Sequence, residues 1–120
     1  MAKQVISTAN APAAIGPYSQ AILCGNTLYA SGQIAPAAGD VAAQADKAFD
    51  SIEAILNEAG FALSDVVKTT VYLADMNDFA KVNEVYGRRM AQPYPARSCV
   101  QVAALPKGAL VEIEVLAQKC

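Results

Sequence analysis

Apolar residues recur at helical spacing between Asp40 and Gly60, and this periodicity constrains the fold of the 120-residue chain more than any other feature. The apolar positions are Val41, Ala45, Ala48, Phe49, Ile52, Ile55, Leu56 and Ala59. Spacings of three and four predict an amphipathic helix with one apolar face. Asp40 is suited to cap the first turn of this helix, and Gly60 is suited to end the last. A helix with one apolar face needs a second layer to cover it.

A second amphipathic helix is predicted from near Asp75 or Asn77 up to Pro93. Its apolar positions are Phe79, Val82, Tyr86 and Met90. The other apolar segments predict strands, because they are rich in β-branched residues or flank a turn at Gly25-Asn26. These segments are residues 3–7, 21–32, 66–74, 98–104 and 111–117. The order β-ββ-α-β-α-β-β predicts one α+β domain over residues 1–120.

The composition limits the classes of partner. A hydrophobic content of 54% is high for so short a chain and favours an oligomer. The net charge is −2, and no basic run is longer than Arg88-Arg89, which argues against a nucleic-acid partner. No apolar stretch approaches the ~20 residues of a membrane-spanning helix, and the N-terminus has no apolar leader. We therefore expect no membrane partner and a cytoplasmic location.

The residues that usually bind metals are scarce. The chain contains no histidine, and its cysteines are Cys24, Cys99 and Cys120. Because they form no CxxC pair, neither a disulfide framework nor a zinc site is expected. The glycine-containing stretches also lack the spacing of a phosphate-binding loop.

The alternation of side chains along two predicted strands indicates which residues share a face. Arg97 and Cys99 lie on one side of their strand, and Glu112 and Glu114 share one side of theirs. Because the apolar faces are expected beneath the helices, the Arg97 and Glu112 faces are predicted on the side away from them. From the residues alone, a surface ion pair between Arg97 and Glu112 is as plausible as a functional arginine.

Three other polar residues have two interpretations each. Tyr18, in the segment IGPYSQA, is either a half-buried aromatic in a turn or a polar group facing a pocket. Ser31 ends a strand beside Gly32 and is a turn residue on its local chemistry, since a serine nucleophile needs a base such as histidine. Asn83 lies among the apolar positions of the second helix, where it either caps a local group or faces a pocket.

Four segments, in this order and with this spacing, resemble the Rid family of reactive enamine/imine deaminases, also called the YjgF or endoribonuclease L-PSP family. They are IGPYSQA, LYASGQI, VVKTTVYLADMNDFAKVNEVY and PARSCVQVAALPKGALVEIEVLA. The resemblance extends from about Ile6 to Ala117. It implies a chorismate-mutase-like α+β fold with one mixed sheet and two helices packed on one face. It also implies a homotrimer with a central β-barrel, helices outside and active sites between subunits.

The resemblance implies hydrolysis of 2-aminoacrylate and related imines, which pyridoxal-phosphate enzymes release, to 2-keto acids and ammonia without a metal or cofactor. Arg97 would bind the substrate carboxylate, because arginine binds planar carboxylates through two N–H groups. Glu112 would position or activate water, since no histidine is available. The remaining substrate-binding positions of the family are matched by Tyr18, Ser31, Asn83 and Cys99. A nucleophilic role is not expected for Cys99, because no base or basic cluster is evident near it in the sequence.

Two other functions are consistent with the same resemblance. A non-catalytic or stress-response protein could bind small carboxylates in the same pocket. The third candidate is an endoribonuclease or translation inhibitor. The low pI of about 4.9 and the absence of histidine argue against this last function.

Overall fold

The computed structural model describes residues 2–120, which form one six-stranded mixed sheet with two α-helices. The elements are β1 (Gln4–Ile6), β2 (Ala21–Cys24), β3 (Thr27–Ala30), α1 (Val41–Glu58), β4 (Val66–Leu73), α2 (Phe79–Arg89), β5 (Ala96–Gln101) and β6 (Val111–Gln118). Their order along the chain is the predicted one. The prediction of an α+β fold with a mixed sheet is confirmed.

The strands lie in the spatial order β1-β2-β3-β6-β4-β5. β4 and β5 are parallel and are joined through α2, whereas every other pair is antiparallel. The C-terminal strand β6 therefore lies between β3 and β4 and joins the two halves of the sheet. Residue Glu112 on β6 is thereby placed near the middle of the sheet, and Arg97 on β5 lies at its edge.

The helix α1 forms as its sequence predicts. The Asp40 side chain accepts a hydrogen bond of 2.9 Å from the backbone N–H of Ala43, which caps the first turn. Gly60 follows the last turn with a φ of 79°, a conformation that glycine adopts at low cost. The apolar face of α1 is buried against β6 and against α2. This face forms the centre of the core.

Ion pairs of Arg89 fix α2 against α1. Arg89 is at the end of α2, and its guanidinium contacts the carboxylates of Asp46, Asp50 and Glu53 on α1 at N–O distances of 2.5–2.8 Å. Only 16% of the Arg89 side chain is exposed, so these bonds are partly shielded from water. The hydrogen bond from Arg89 lowers the pKa of Asp46 below its ordinary value. The position of α2 matters for the site, because α2 carries Asn83.

The strand β5 differs from its prediction in bounds and in orientation. It runs from Ala96 to Gln101, since its pairing with β4 sets both ends. Arg97 is paired with Thr69, whose side chain is buried beneath the helices, so Arg97 also faces the helices. The predicted placement of Arg97 on the opposite face is therefore wrong. β5 is an edge strand, and there the Arg97 side chain fits on the helix side between Asn83 and Tyr86 of α2.

The sheet face opposite the helices carries Glu112, as predicted, together with apolar side chains. On β5 this face presents Val100, of which 42% is exposed. Val5 and Tyr29 are exposed on the first half of the sheet. We call this helix-free side the open face. An apolar open face of this kind is typical of a surface that another chain covers.

No helix within residues 2–120 combines the length and the hydropathy needed to cross a membrane.

Candidate active site

A cavity of about 620 Å³ lies beside Glu112 on the open face. The predicted site residues Tyr18, Ser31 and Glu112 all line it. Lys107, on the turn before β6, forms part of another wall. The cavity is large enough for a small metabolite and combines apolar surface with a few polar groups, as ligand sites usually do.

The loop that carries Tyr18 is held by hydrogen bonds to buried groups. The Gln20 amide accepts from the backbone N–H of Thr8 at 2.7 Å and donates to the carbonyl of Pro12 at 2.8 Å. The Ser31 hydroxyl donates to the carbonyl of Ser19 at 2.6 Å. Ser31 therefore fixes the loop beside the half-exposed Tyr18 ring, which leaves the phenol accessible to a ligand. Gln20 was not predicted as a site residue, since nothing in its local sequence marks a buried glutamine.

The lack of a side chain at Gly32 leaves room for the Glu112 carboxylate. A β-carbon on residue 32 would overlap the carboxylate, lying only 2.7 Å from Cδ of Glu112. Burial raises the pKa of Glu112, and the neighbouring Glu114 raises it further. A raised pKa makes the ionised carboxylate a better proton acceptor. The sequence did not predict this contact, since Gly32 and Glu112 are far apart along the chain.

Arg97 belongs to a second group of residues on the helix side of β5. Its Nη1 donates to Oδ1 of Asn83 at 2.7 Å. The guanidinium carbon lies 4.7 Å from the centroid of the Tyr86 ring and 5.6 Å from that of Phe79. Within residues 2–120, Arg97 has no acidic partner within 4 Å. The surface ion pair with Glu112 does not form, since the two residues face opposite sides of the sheet.

The other two predicted residues, Asn83 and Cys99, lie with Arg97. Asn83 neither caps its helix nor faces the cavity of Glu112, because its side-chain oxygen binds the guanidinium. Cys99 shares the face of Arg97 and packs against the core. Burial raises the pKa of the Cys99 thiol, and the charge of Arg97 offsets this only in part. The thiol is therefore protonated at neutral pH, which argues against a nucleophilic role.

The six predicted residues thus form two groups. Tyr18, Ser31 and Glu112 surround the cavity, whereas the group of Asn83, Arg97 and Cys99 lies on the helix side of the edge strand. One chain cannot bring both groups to the same small molecule, since the sheet separates them. The part of the chain that the structure describes also contains no group of three or more Asp, Glu, Cys or His side chains arranged to hold a metal.

The family model described as endoribonuclease L-PSP matches residues 8–119. The chain belongs to this family, also called Rid. The Rid resemblance is thereby confirmed. The 2-iminobutanoate/2-iminopropanoate deaminase of Bos taurus is 52% identical over an alignment of 124 positions, which covers 98% of this chain and 90% of that protein.

Solved Rid structures have the same fold. The crystal structure of RidA from the Antarctic bacterium Psychrobacter superimposes with a TM-score of 0.92 at 50% identity, covering 97% of this chain and 99% of that one. The structure of E. coli TdcF with bound serine gives a TM-score of 0.90 at 41% identity, with coverages of 98% and 99%. The expected fold class is therefore confirmed.

Proposed function

We propose that this chain is a deaminase that hydrolyses 2-iminobutanoate, 2-iminopropanoate and the related enamine 2-aminoacrylate to 2-keto acids and ammonia. The relatives at about half identity support the reaction, since the bovine protein carries the name of this activity. The observation that carries the proposal is the guanidinium of Arg97, which has no acidic partner within residues 2–120. Such a cation is available to the carboxylate of an imino acid.

We further propose that the chain forms a homotrimer in which the open faces build a central β-barrel. The exposed apolar side chains of the open face support this assembly, because their burial is favourable at roughly 25 cal/mol per Å². The separation of Arg97 from Glu112 also supports it. Each active site would combine Arg97 of one copy with the Glu112 cavity of a second copy.

In the proposed reaction Arg97 binds the substrate carboxylate and orients the C=N group. A water molecule attacks the imine carbon while the Glu112 carboxylate accepts its proton. Glu112 then returns the proton to the nitrogen of the tetrahedral adduct. The hydroxyl proton of the adduct then passes to the nitrogen, again through Glu112. The C–N bond breaks, ammonia leaves, and the carbonyl forms. An enamine substrate first takes a proton from water at carbon and loses one from nitrogen to water, which gives the imine.

The remaining residues of the proposal act through binding and shape. The Tyr18 phenol would donate a hydrogen bond to the substrate, and Ser31 would keep the Tyr18 loop in place. Asn83 would hold Arg97, and Cys99 would fill space beside it. Neither a cofactor nor a metal takes part in this mechanism. A cytoplasmic location stays a prediction.

A non-catalytic carboxylate-binding protein is the second candidate. The structure of TdcF with bound serine favours it, since that relative holds an amino acid that Arg97 of this chain could also recognise. The deaminase and the binding protein differ only in whether the bound molecule is hydrolysed. The endoribonuclease function has less support, because the chain has no histidine and a net charge of −2.

The proposal is tested by competition for a short-lived imine. Threonine dehydratase generates 2-iminobutanoate in the presence of semicarbazide, which traps the imine as a semicarbazone. Added wild-type protein should suppress the trapping, and Arg97→Ala should not. Arg88→Ala is the matched control, since Arg88 is an exposed arginine on α2 and should remain dispensable. Unchanged trapping with wild-type protein would refute the deaminase and leave the binding protein.

A further inference from the structure

Two aromatic rings lie near the Arg97 guanidinium, and that of Tyr86 is the nearer. Tyr86 of α2 lies beneath the guanidinium, with 4.7 Å between the guanidinium carbon and the ring centroid. In the sequence, Tyr86 is one of the apolar positions predicted for its helix. Its ring is more than a filler of the core, because it contacts the cation that the proposed function requires.

The Tyr86 ring itself has a fixed position. Its hydroxyl forms a 2.7 Å hydrogen bond with the hydroxyl of Thr69 on β4. Only 5% of Tyr86 and 1% of Thr69 are exposed. The ring also packs edge to face with the ring of Phe49, with centroids 5.8 Å apart and planes at 73°. Contacts on several sides therefore hold the ring in one orientation, with the Arg97 guanidinium over it.

The contacts of Arg97 leave part of its hydrogen-bonding edge open. Asn83 occupies Nη1. Neither the Nε–H nor the Nη2 group has a hydrogen-bond partner among the described residues. A carboxylate needs two N–H groups in one plane, so a guanidinium free to rotate would bind it more weakly. The Tyr86 ring packed against the guanidinium restricts its rotation.

Tyr86 does not neutralise the charge of Arg97, which stays available to the substrate carboxylate. Burial raises the pKa of the Tyr86 phenol, while the bond to Thr69 and the charge of Arg97 lower it less. The phenol is therefore neutral at physiological pH. A carboxylate in the same place would neutralise the guanidinium and compete with the substrate.

We propose that Tyr86, itself fixed by Thr69 and Phe49, is a positioning residue that orients Arg97 for the substrate carboxylate. The inference rests on the proposed function for the identity of the ligand. It does not require turnover, because it concerns binding of the carboxylate. It predicts that the aromatic ring of Tyr86, rather than its phenol hydroxyl, increases the affinity of Arg97 for the carboxylate.

Two substitutions separate the ring from its hydroxyl. Tyr86→Phe keeps the ring, and Tyr86→Leu removes it while keeping an apolar side chain. Val85→Ala is the control for general loosening of α2, since Val85 is buried on the same helix and is not part of the Arg97 group. The affinity for 2-oxobutanoate, the expected product, is measured by calorimetric titration for each variant and for the wild type. The methyl ester of 2-oxobutanoate serves as the ligand without a carboxylate.

Tyr86→Leu should weaken 2-oxobutanoate binding about tenfold, the loss expected when a shielded cation–π contact is removed. Tyr86→Phe and Val85→Ala should stay within about threefold of the wild type. The affinity for the ester should change much less than that for the acid, because the ester does not engage Arg97 as a carboxylate does.

Equal losses for the acid and the ester, equal losses in Tyr86→Leu and Val85→Ala, or no loss in Tyr86→Leu would each overturn the inference. So would a wild-type protein that does not bind 2-oxobutanoate. A wild-type protein that binds 2-oxobutanoate but leaves imine trapping unchanged would refute the deaminase alone, and the inference about Tyr86 would stand.

Discussion

Gly32→Ala should inactivate the protein without unfolding it. The new β-carbon would lie 2.7 Å from Cδ and 3.0 Å from Cγ of Glu112, whereas ordinary contacts begin at 3.4 Å. The carboxyl carbon must therefore move by about 0.7 Å or more. Displacements of about 1 Å in a catalytic group cost about 100-fold in rate. We expect kcat/KM to fall by about this factor, which corresponds to about 2.7 kcal/mol of lost transition-state stabilisation.

The stability of Gly32→Ala should change little, because the obstacle is a movable side chain rather than backbone. Gly87→Ala is the matched control, since its added β-carbon would meet only Tyr94 at an ordinary distance of 3.7 Å. Replacing a helical glycine should stabilise α2 by up to about 1 kcal/mol and leave activity unchanged. Imine-trapping rates and thermal melting distinguish the outcomes. Full activity in Gly32→Ala would show that the position of the Glu112 carboxylate does not limit the reaction.

Other consequences follow from the charged groups. Wild-type activity should fall as the pH drops through the raised pKa of Glu112, because the base must be ionised; a rate that is flat across the acid range would contradict this role. Glu112→Gln should lose activity, but its melting temperature at neutral pH should be no lower than that of the wild type. The reason is that a carboxyl group whose pKa is raised by folding destabilises the fold once it is ionised. Arg89→Met should reduce the free energy of unfolding by about 2 kcal/mol in urea at pH 7. Because folding lowers the pKa of Asp46, the difference in unfolding free energy between wild type and variant is present above the ordinary carboxyl pKa and shrinks as the pH falls through the lowered pKa. An equal difference at pH 3 would argue against the ion pairs.

The sequence predicts the helices and the order of the strands because those features depend on local periodicity. The Asp40 cap and the Gly60 stop of α1 are examples, since each involves residues only a few positions apart. The position of β6 between β3 and β4 depends instead on pairing over the whole chain. No local pattern encodes that pairing.

The candidate site was predicted as a set of residues and not as a geometry. The face of Arg97 was assigned wrongly, because the rule that polar residues point away from helices fails on the edge strand β5. The roles of Gly32 and Tyr86 were missed, since each acts through a contact with a residue far away in sequence. By residue type alone, Gly32 is also consistent with a turn, and Tyr86 is also consistent with the apolar core beneath its helix.

Subunit mixing tests the central claim most directly, namely that Arg97 and Glu112 serve one active site from two copies of the chain. Arg97→Ala and Glu112→Gln are purified, shown to be inactive separately, and then unfolded and refolded together in equal amounts. Random trimers should place an intact Arg97 beside an intact Glu112 at about a quarter of the interfaces, so about a quarter of the wild-type imine-trapping activity should return. No recovery in trimers shown to contain both chains would contradict the shared site.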